Sequence, residues 1–209
     1  MKSVFIKRLF WILLLLPVML QAREYKEGVE YIKLVTPLPT QNADKIEVQE
    51  FFWYGCPHCF QLEPKLAAWV KNKPARVEFV RTPAPLNPGW MVHTKTFYAL
   101  EAMGRGDEFH LDLFNAMHVA RIKLHTPEAI ADFLAQKGVD KKKFIETFNS
   151  FAVNMRARKS EQLGNQYKIT GVPALTVNGK YLINTNQAGG FDEALNILNY
   201  LVNKELAGN

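Results

Sequence analysis

Only two cysteines occur in the 209-residue chain, three positions apart in Cys56-Pro57-His58-Cys59. A disulfide across so short a ring staples very little of a chain this long, so the pair reads as chemistry more than as scaffolding. The chemistry open to it is thiol–disulfide exchange, in which a thiolate attacks a disulfide sulfur and a second thiol resolves the mixed disulfide. Rival uses of the motif want other residues. A structural zinc site needs four ligands, and there is no second Cys-x-x-Cys pair. Haem attachment needs histidine directly after the second cysteine, where Phe60 stands. An inert surface disulfide is the remaining alternative.

Reactivity depends on where the sulfurs sit. Ile46 to Tyr54 is nearly continuous in apolar and aromatic side chains (Val48, Phe51, Phe52, Trp53, Tyr54), which predicts a strand covered on both faces. Gly55 punctuates it. Pro57 suits a first helical position, because it lacks the N–H that would be unpaired there and its φ is fixed. A helix to about Val70 follows, with Cys56 at its N-terminus, where unpaired N–H groups and the macrodipole favour a thiolate. Cys59, one turn further in, is placed to resolve and is further from solvent. His58 can donate toward the Cys56 sulfur or carry positive charge beside it.

The surrounding elements follow from pattern and punctuation. Val29 to Val35 predicts an edge strand ended by Pro37 and Pro39, and Val77 to Arg81 a strand parallel to the first through a right-handed crossover. From about Leu86 to Ser160 the pattern is helical. Gly104 and Gly106 end one helix and Asp107 caps the next. Thr126-Pro127-Glu128 opens another that Gly138 closes, and Asp140 caps the one after. A long segment to about Tyr167 follows. Ala174 to Val177 and Lys180 to Ile183 predict a hairpin through a type I′ turn at Asn178-Gly179. Phe191 to Leu206 closes the chain as an amphipathic helix. The expected architecture is an α/β unit interrupted by a helical insertion, whose core is Phe97, Phe109, Phe114 and Phe133.

Residues 1–22 read as a secretory signal: Lys2, Lys7 and Arg8 precede an apolar run from Leu9 to Leu20, and Ala22 offers a cleavage point. That run is short of the roughly 20 residues a spanning helix needs, although an uncleaved anchor is the competing reading. The formal charge of +6 falls by those three cations in the mature chain. What is left is a solvated surface, with no nucleic-acid footprint; the run Lys141-Lys142-Lys143 is an exposed helix start.

Several further residues invite a role. Glu50 shares a strand face with Val48 and Phe52, and a lone buried carboxylate is costly. It is a candidate proton acceptor for Cys59, against the alternatives of a solvent-facing strand end or a structural ion pair. His93, His110, His118 and His125 lack metal spacing and read as ordinary surface or core residues. Trp90 and Met91, at the junction of insertion and core, are candidates for the border of a peptide groove.

Glu50-Phe51-Phe52, Cys56-Pro57-His58-Cys59, Gly171-Val172-Pro173-Ala174 and Val177-Asn178-Gly179-Lys180-Tyr181 together resemble the bacterial DsbA family, over essentially the whole mature chain. The resemblance implies a thioredoxin fold with an inserted all-helical domain: residues 23–85 and 161–209 form the thioredoxin-like part and 86–160 the insertion. It implies a cis peptide bond before Pro173, packed against the sulfurs, with the Val172 backbone free to pair with an extended substrate. The competing reading is that Pro173 merely starts a strand. By the same resemblance Arg81 stands where the family often has lysine and is the partner of Glu50. As arginine it stays charged and does not itself relay protons.

The function implied is a periplasmic thiol–disulfide oxidoreductase that donates its Cys56–Cys59 disulfide to reduced exported polypeptides. The catalytic set is Cys56, Pro57, His58, Cys59, Pro173 and Glu50, with Val172 and Pro173 binding substrate. A DsbB-like, quinone-linked membrane protein reoxidises it. No cofactor, metal or nucleic acid is expected, and the chain is expected to be a monomer. The alternatives are a disulfide isomerase or reductase of the same fold, and a peptide-binding chaperone whose dithiol idles. Isomerases of the other type carry an N-terminal dimerisation domain, for which the stretch between Ala22 and Ile46 is too short.

Overall fold

Strand β2 (Ile46–Phe52) is buried at every position because it has a strand on either side and helices cover both faces of the sheet. In the computed structural model, which describes residues 23–208, the expected signal segment lies outside the described residues. Five strands are ordered β1-β5-β4-β2-β3, where β1 is Ile32–Lys33, β3 Val77–Pro83, β4 Ala174–Val177 and β5 Tyr181–Asn184. β2 and β3 pair in parallel, as a strand–helix–strand unit requires, with Glu50 opposite Arg81. All other pairs are antiparallel. The crossover helix α1 (Pro57–Asn72) and the last helix α7 (Phe191–Gly208) bury Leu62, Leu66, Ile197, Leu198 and Leu201 against Ile46, Val48, Val77, Leu175, Val177 and Ile183.

Five helices lie between β3 and β4: α2 (Met91–Ala102), α3 (Gly106–His118), α4 (Pro127–Ala135), α5 (Lys141–Asn149) and α6 (Phe151–Gln166), preceded by a 3-10 turn at Pro88–Trp90. Thr126 and Asp140 cap α4 and α5 as expected, accepting from the N–H groups of Ala129 and Lys143. Phe97, Phe109 and Phe114 are buried and Phe133 is half-buried. Their core is not private to the helices. Phe52 at the end of β2 meets Phe97 edge-on at 5.5 Å and packs on Phe114 at 6.0 Å. Aromatic contact thus locks the helical region to the strand that carries the dithiol.

Two expectations need correction. The predicted edge strand from Val29 to Val35 shrinks to Ile32–Lys33. Beyond it the chain crosses the hairpin turn: the Leu34 N–H donates to the Lys180 carbonyl and that of Leu38 to Gly179, both at 2.8 Å. Asp107 is not a cap. The chain reverses at Gly104 (φ 70°), so α3 already begins at Gly106 and Asp107 sits in its first turn, still complementing the helix dipole. The β4–β5 turn is as expected, with φ of 52° at Asn178 and 67° at Gly179. A Cβ on Gly179 would stand 2.0 Å from the Leu38 carbonyl oxygen, so only glycine fits.

Candidate active site at the head of α1

The end of β2 delivers Cys56 to the N-cap of α1, with Pro57 in the first helical position. The Cys59 N–H donates to the Cys56 sulfur at 3.3 Å, so the thiol occupies the place that a serine or aspartate oxygen takes in an ordinary cap. Cys56 is 7 % exposed and Cys59 0 %, which leaves only the outer sulfur within reach of another protein. Cys56 also lies 3.4 Å from the Val172 carbonyl, which can accept from the thiol. The Val172–Pro173 bond is cis, as the resemblance implied, and Thr185 Oγ1 donates to the Pro173 carbonyl at 2.7 Å.

The two sulfurs are driven apart in acidity. A hydrogen bond from the Cys59 thiol pulls Cys56 down to about 6; the backbone N–H groups of Cys59 and His58 and the charge of His58 act in the same direction, against partial burial. Burial raises Cys59 well above an ordinary thiol, and it gains further from its hydrogen bond to Cys56 and from that sulfur's charge. One is a ready thiolate and the other holds its proton. That is the division of labour that exchange requires.

Beneath them Glu50 is fully buried, and neither of its oxygens has a hydrogen-bond partner among the described residues. Arg81 Nε stands 3.6 Å away, within ion-pair reach but too long for a hydrogen bond. Burial first, and then the charge of Glu63, lift Glu50 to about 8 against the opposing charge of Arg81. The arginine gives its hydrogen bond to Glu63 instead, and His110 Nε2 lies 3.3 Å from the other oxygen of Glu63. Burial would raise Glu63, but His110 and Arg81 outweigh it and hold its carboxyl below the usual range. The opposite ring nitrogen of His110 lies 3.2 Å from the Tyr54 hydroxyl.

Of the residues singled out from the sequence, Cys56, Pro57, Cys59, Val172, Pro173, Glu50 and Arg81 converge here. His58 is exposed on the first turn of α1, its ring 6.3 Å from that of Phe191. Trp90 stacks on Trp53, and Met91 is half-buried against the core. Glu63 and His110 were missed as parts of this cluster, and His110 is not an ordinary core histidine. The signal for Glu63 was present: Cys59, Leu62, Glu63 and Leu66 are spaced as one helical face, so a charge stood among buried positions. His118 reaches the Tyr54 carbonyl at 2.8 Å and stacks on Phe60.

Comparisons with known proteins give the family and the fold. Residues 91–196 match the family model of the DSBA-like thioredoxin domain. The chain is 48 % identical over 187 residues to the thiol:disulfide interchange protein DsbA of Pseudomonas aeruginosa, covering 90 % of this chain and 89 % of that protein. It is 42 % identical over 186 residues to the protein of the same name from Azotobacter vinelandii, covering 89 % and 87 %. A crystal structure of the Pseudomonas aeruginosa DsbA superposes with a TM-score of 0.84 at 47 % identity, covering 88 % of this chain and 96 % of that one. The oxidoreductase DsbA from Xylella fastidiosa gives 0.82 at 30 % identity, covering 88 % and 98 %. The chain belongs to the DsbA family and is a thiol–disulfide oxidoreductase with a thioredoxin-like fold.

Proposed function

We propose that this oxidoreductase works as a disulfide donor for reduced exported polypeptides in the periplasm, reached through cleavage of residues 1–22. The reading is carried by the placement of the Cys56 sulfur: it caps α1 and takes hydrogen bonds from both the amide and the thiol of Cys59. A substrate thiolate attacks the Cys56 sulfur of the oxidised pair, and Cys59 leaves as the anion. Glu50, held as the neutral acid to about 8, gives that anion its proton. A second substrate thiolate then displaces Cys56, which departs readily because its thiolate is stable. In the reverse direction Glu50 takes the proton from Cys59 as it attacks.

Pro57 sets the helix start, and His58 adds charge beside the outgoing sulfur. Val172 and Pro173 provide the edge against which an extended substrate pairs, a form of strand addition. Residues 23–85 and 161–209 form the thioredoxin-like part and 86–160 the insertion. The protein acts as a monomer, and a DsbB-like, quinone-linked membrane protein restores its disulfide.

Alkylation of the reduced protein at pH 6 tests the assignment of the sulfurs. About half of Cys56 is thiolate there, against about 0.3 % of an ordinary thiol. The lower intrinsic nucleophilicity of an acidic thiol takes back part of that gain, leaving roughly a tenfold faster reaction than in the denatured chain. Peptide mapping should find the label on Cys56 alone. Equal labelling of Cys56 and Cys59 would remove the division of roles.

A further inference from the structure

Besides His110 and His118, which meet Tyr54, a third histidine of the helical region is bonded directly to the segment that carries the dithiol. Trp53 Nε1 donates to His93 Nδ1 at 2.7 Å, and His93 Nε2 lies 2.7 Å from the Leu124 carbonyl. An indole N–H only donates and a carbonyl only accepts, so the imidazole is neutral with its proton on Nε2. Burial keeps it neutral, pushing His93 down to about 4.

The indole held in this way lies flat on Trp90, with ring centroids 4.0 Å apart and 4° between planes. It also roofs Gly55, where a Cβ would stand 2.3 Å from the indole. The Trp53 carbonyl meanwhile accepts from the Cys56 N–H at 2.9 Å. Ring and backbone of Trp53 therefore both bear on the turn that ends in the capping sulfur, and His93 is what the ring is tied to.

We propose that His93 is a positioning residue for the exchange reaction: through Nδ1 it fixes the Trp53 indole over Gly55, and so holds the turn that presents the Cys56 sulfur at the head of α1. The proposal rests on Cys56 being the exchanging sulfur. Nε2, bonded to the loop at Leu124, contributes to folding and not to the presentation of the sulfur.

Three substitutions separate the two nitrogens. In His93→Asn the side-chain oxygen falls near the position of Nδ1 and can still accept from Trp53. In His93→Gln the amide nitrogen falls near Nε2 and can still donate to Leu124. His93→Phe keeps a ring and removes both bonds. The readouts are the pH midpoint for alkylation of Cys56 in the reduced protein, and kcat and KM for exchange with glutathione disulfide. The Gln and Phe variants should raise the midpoint by at least about half a unit, roughly a threefold loss of thiolate at a fixed pH below it. Their kcat should fall by a similar factor, and the Asn variant should keep the wild-type values.

Rescue by Gln in place of Asn, or the same midpoint in every variant, would overturn the proposal. So would an equal shift in Asn and Gln, since that is what a merely structural role gives. If the Phe variant does not fold, the Asn and Gln pair alone decides. A wild-type midpoint at the ordinary thiol value would sink the reading of Cys56. A depressed wild-type midpoint shared by all variants sinks only the role of His93.

Discussion

With Cys59 replaced by serine, the protein should accumulate as covalent complexes with its clients, and turnover should fall by about a thousandfold or more. Cys56 remains a thiolate at the head of α1 and still attacks a client disulfide. The fully buried position from which a second sulfur would release it then holds only a hydroxyl, which does not cleave disulfides. Serine also donates a hydrogen bond to the Cys56 thiolate, so the attacking sulfur keeps most of its acidity. Cys56→Ser should lose exchange to the same extent but trap nothing, because the outer sulfur is the only one within reach. Non-reducing gels of both variants after mixing with a scrambled protein decide the matter. A Cys59→Ser variant without trapped partners would count against the assignment. Undiminished function after Cys56→Ser would favour a peptide-binding chaperone.

The second large effect is on stability, which should depend on redox state and pH together. Closing a ring of about four residues favours the oxidised form by roughly 2 kcal/mol in the chain-entropy model. The reduced form gains from a Cys56 thiol held at about 6 when folded and near 8.5 when unfolded, each unit being worth about 1.4 kcal/mol. Because the folded value is the lower one, this stabilisation is complete above about pH 8.5 and is lost as pH falls through 6.

At pH 7 the thiolate would outweigh the ring only with a Cys56 value below roughly 5.6, so at about 6 the ring keeps the advantage there. Solvent reaches the outer sulfur in part, and screening trims the full effect to about 2 kcal/mol. Denaturant melts of both forms should therefore show the reduced protein gaining about 2 kcal/mol on the oxidised one between pH 5 and pH 8.5. A difference that stays flat with pH would mean the folded protein does not stabilise the Cys56 thiolate.

The dithiol and its seat were legible because they are local. A buried strand, Gly55, and a proline at the first helical position together specify the cap within about a dozen residues. Burial of Glu50 was legible from strand alternation, and Arg81 as its partner from the family resemblance; the parallel register then sets the two opposite each other. The partners that change the chemistry come from far along the chain. Arg81 gives its hydrogen bond to Glu63 on α1, and Glu63 is in turn held by His110 on α3. No periodicity records which helix face meets which.

The phenylalanines of the helical region teach the same lesson. Their spacing correctly marks a buried face, but spacing does not say that Phe97 and Phe114 close over Phe52 instead of over one another. Trp53 and His93 illustrate it at a single bond. Each looks like a core side chain in its own element, and only the fold brings the indole N–H to the imidazole.

The central claim is that the protein gives disulfides away because its reduced form holds a stabilised Cys56 thiolate, and the reduction potential of the pair at pH 7 measures this most directly. For a two-electron couple about 30 mV corresponds to 1.4 kcal/mol, the worth of one unit of cysteine acidity. A thioredoxin-type pair, with its reactive cysteine near 7, stands at about −270 mV. Cys56 held at about 6 adds about 30 mV to that. Equilibration of the mature protein with glutathione buffers should give a potential of about −240 mV or less negative, and a value at or below the thioredoxin figure of about −270 mV would contradict the account.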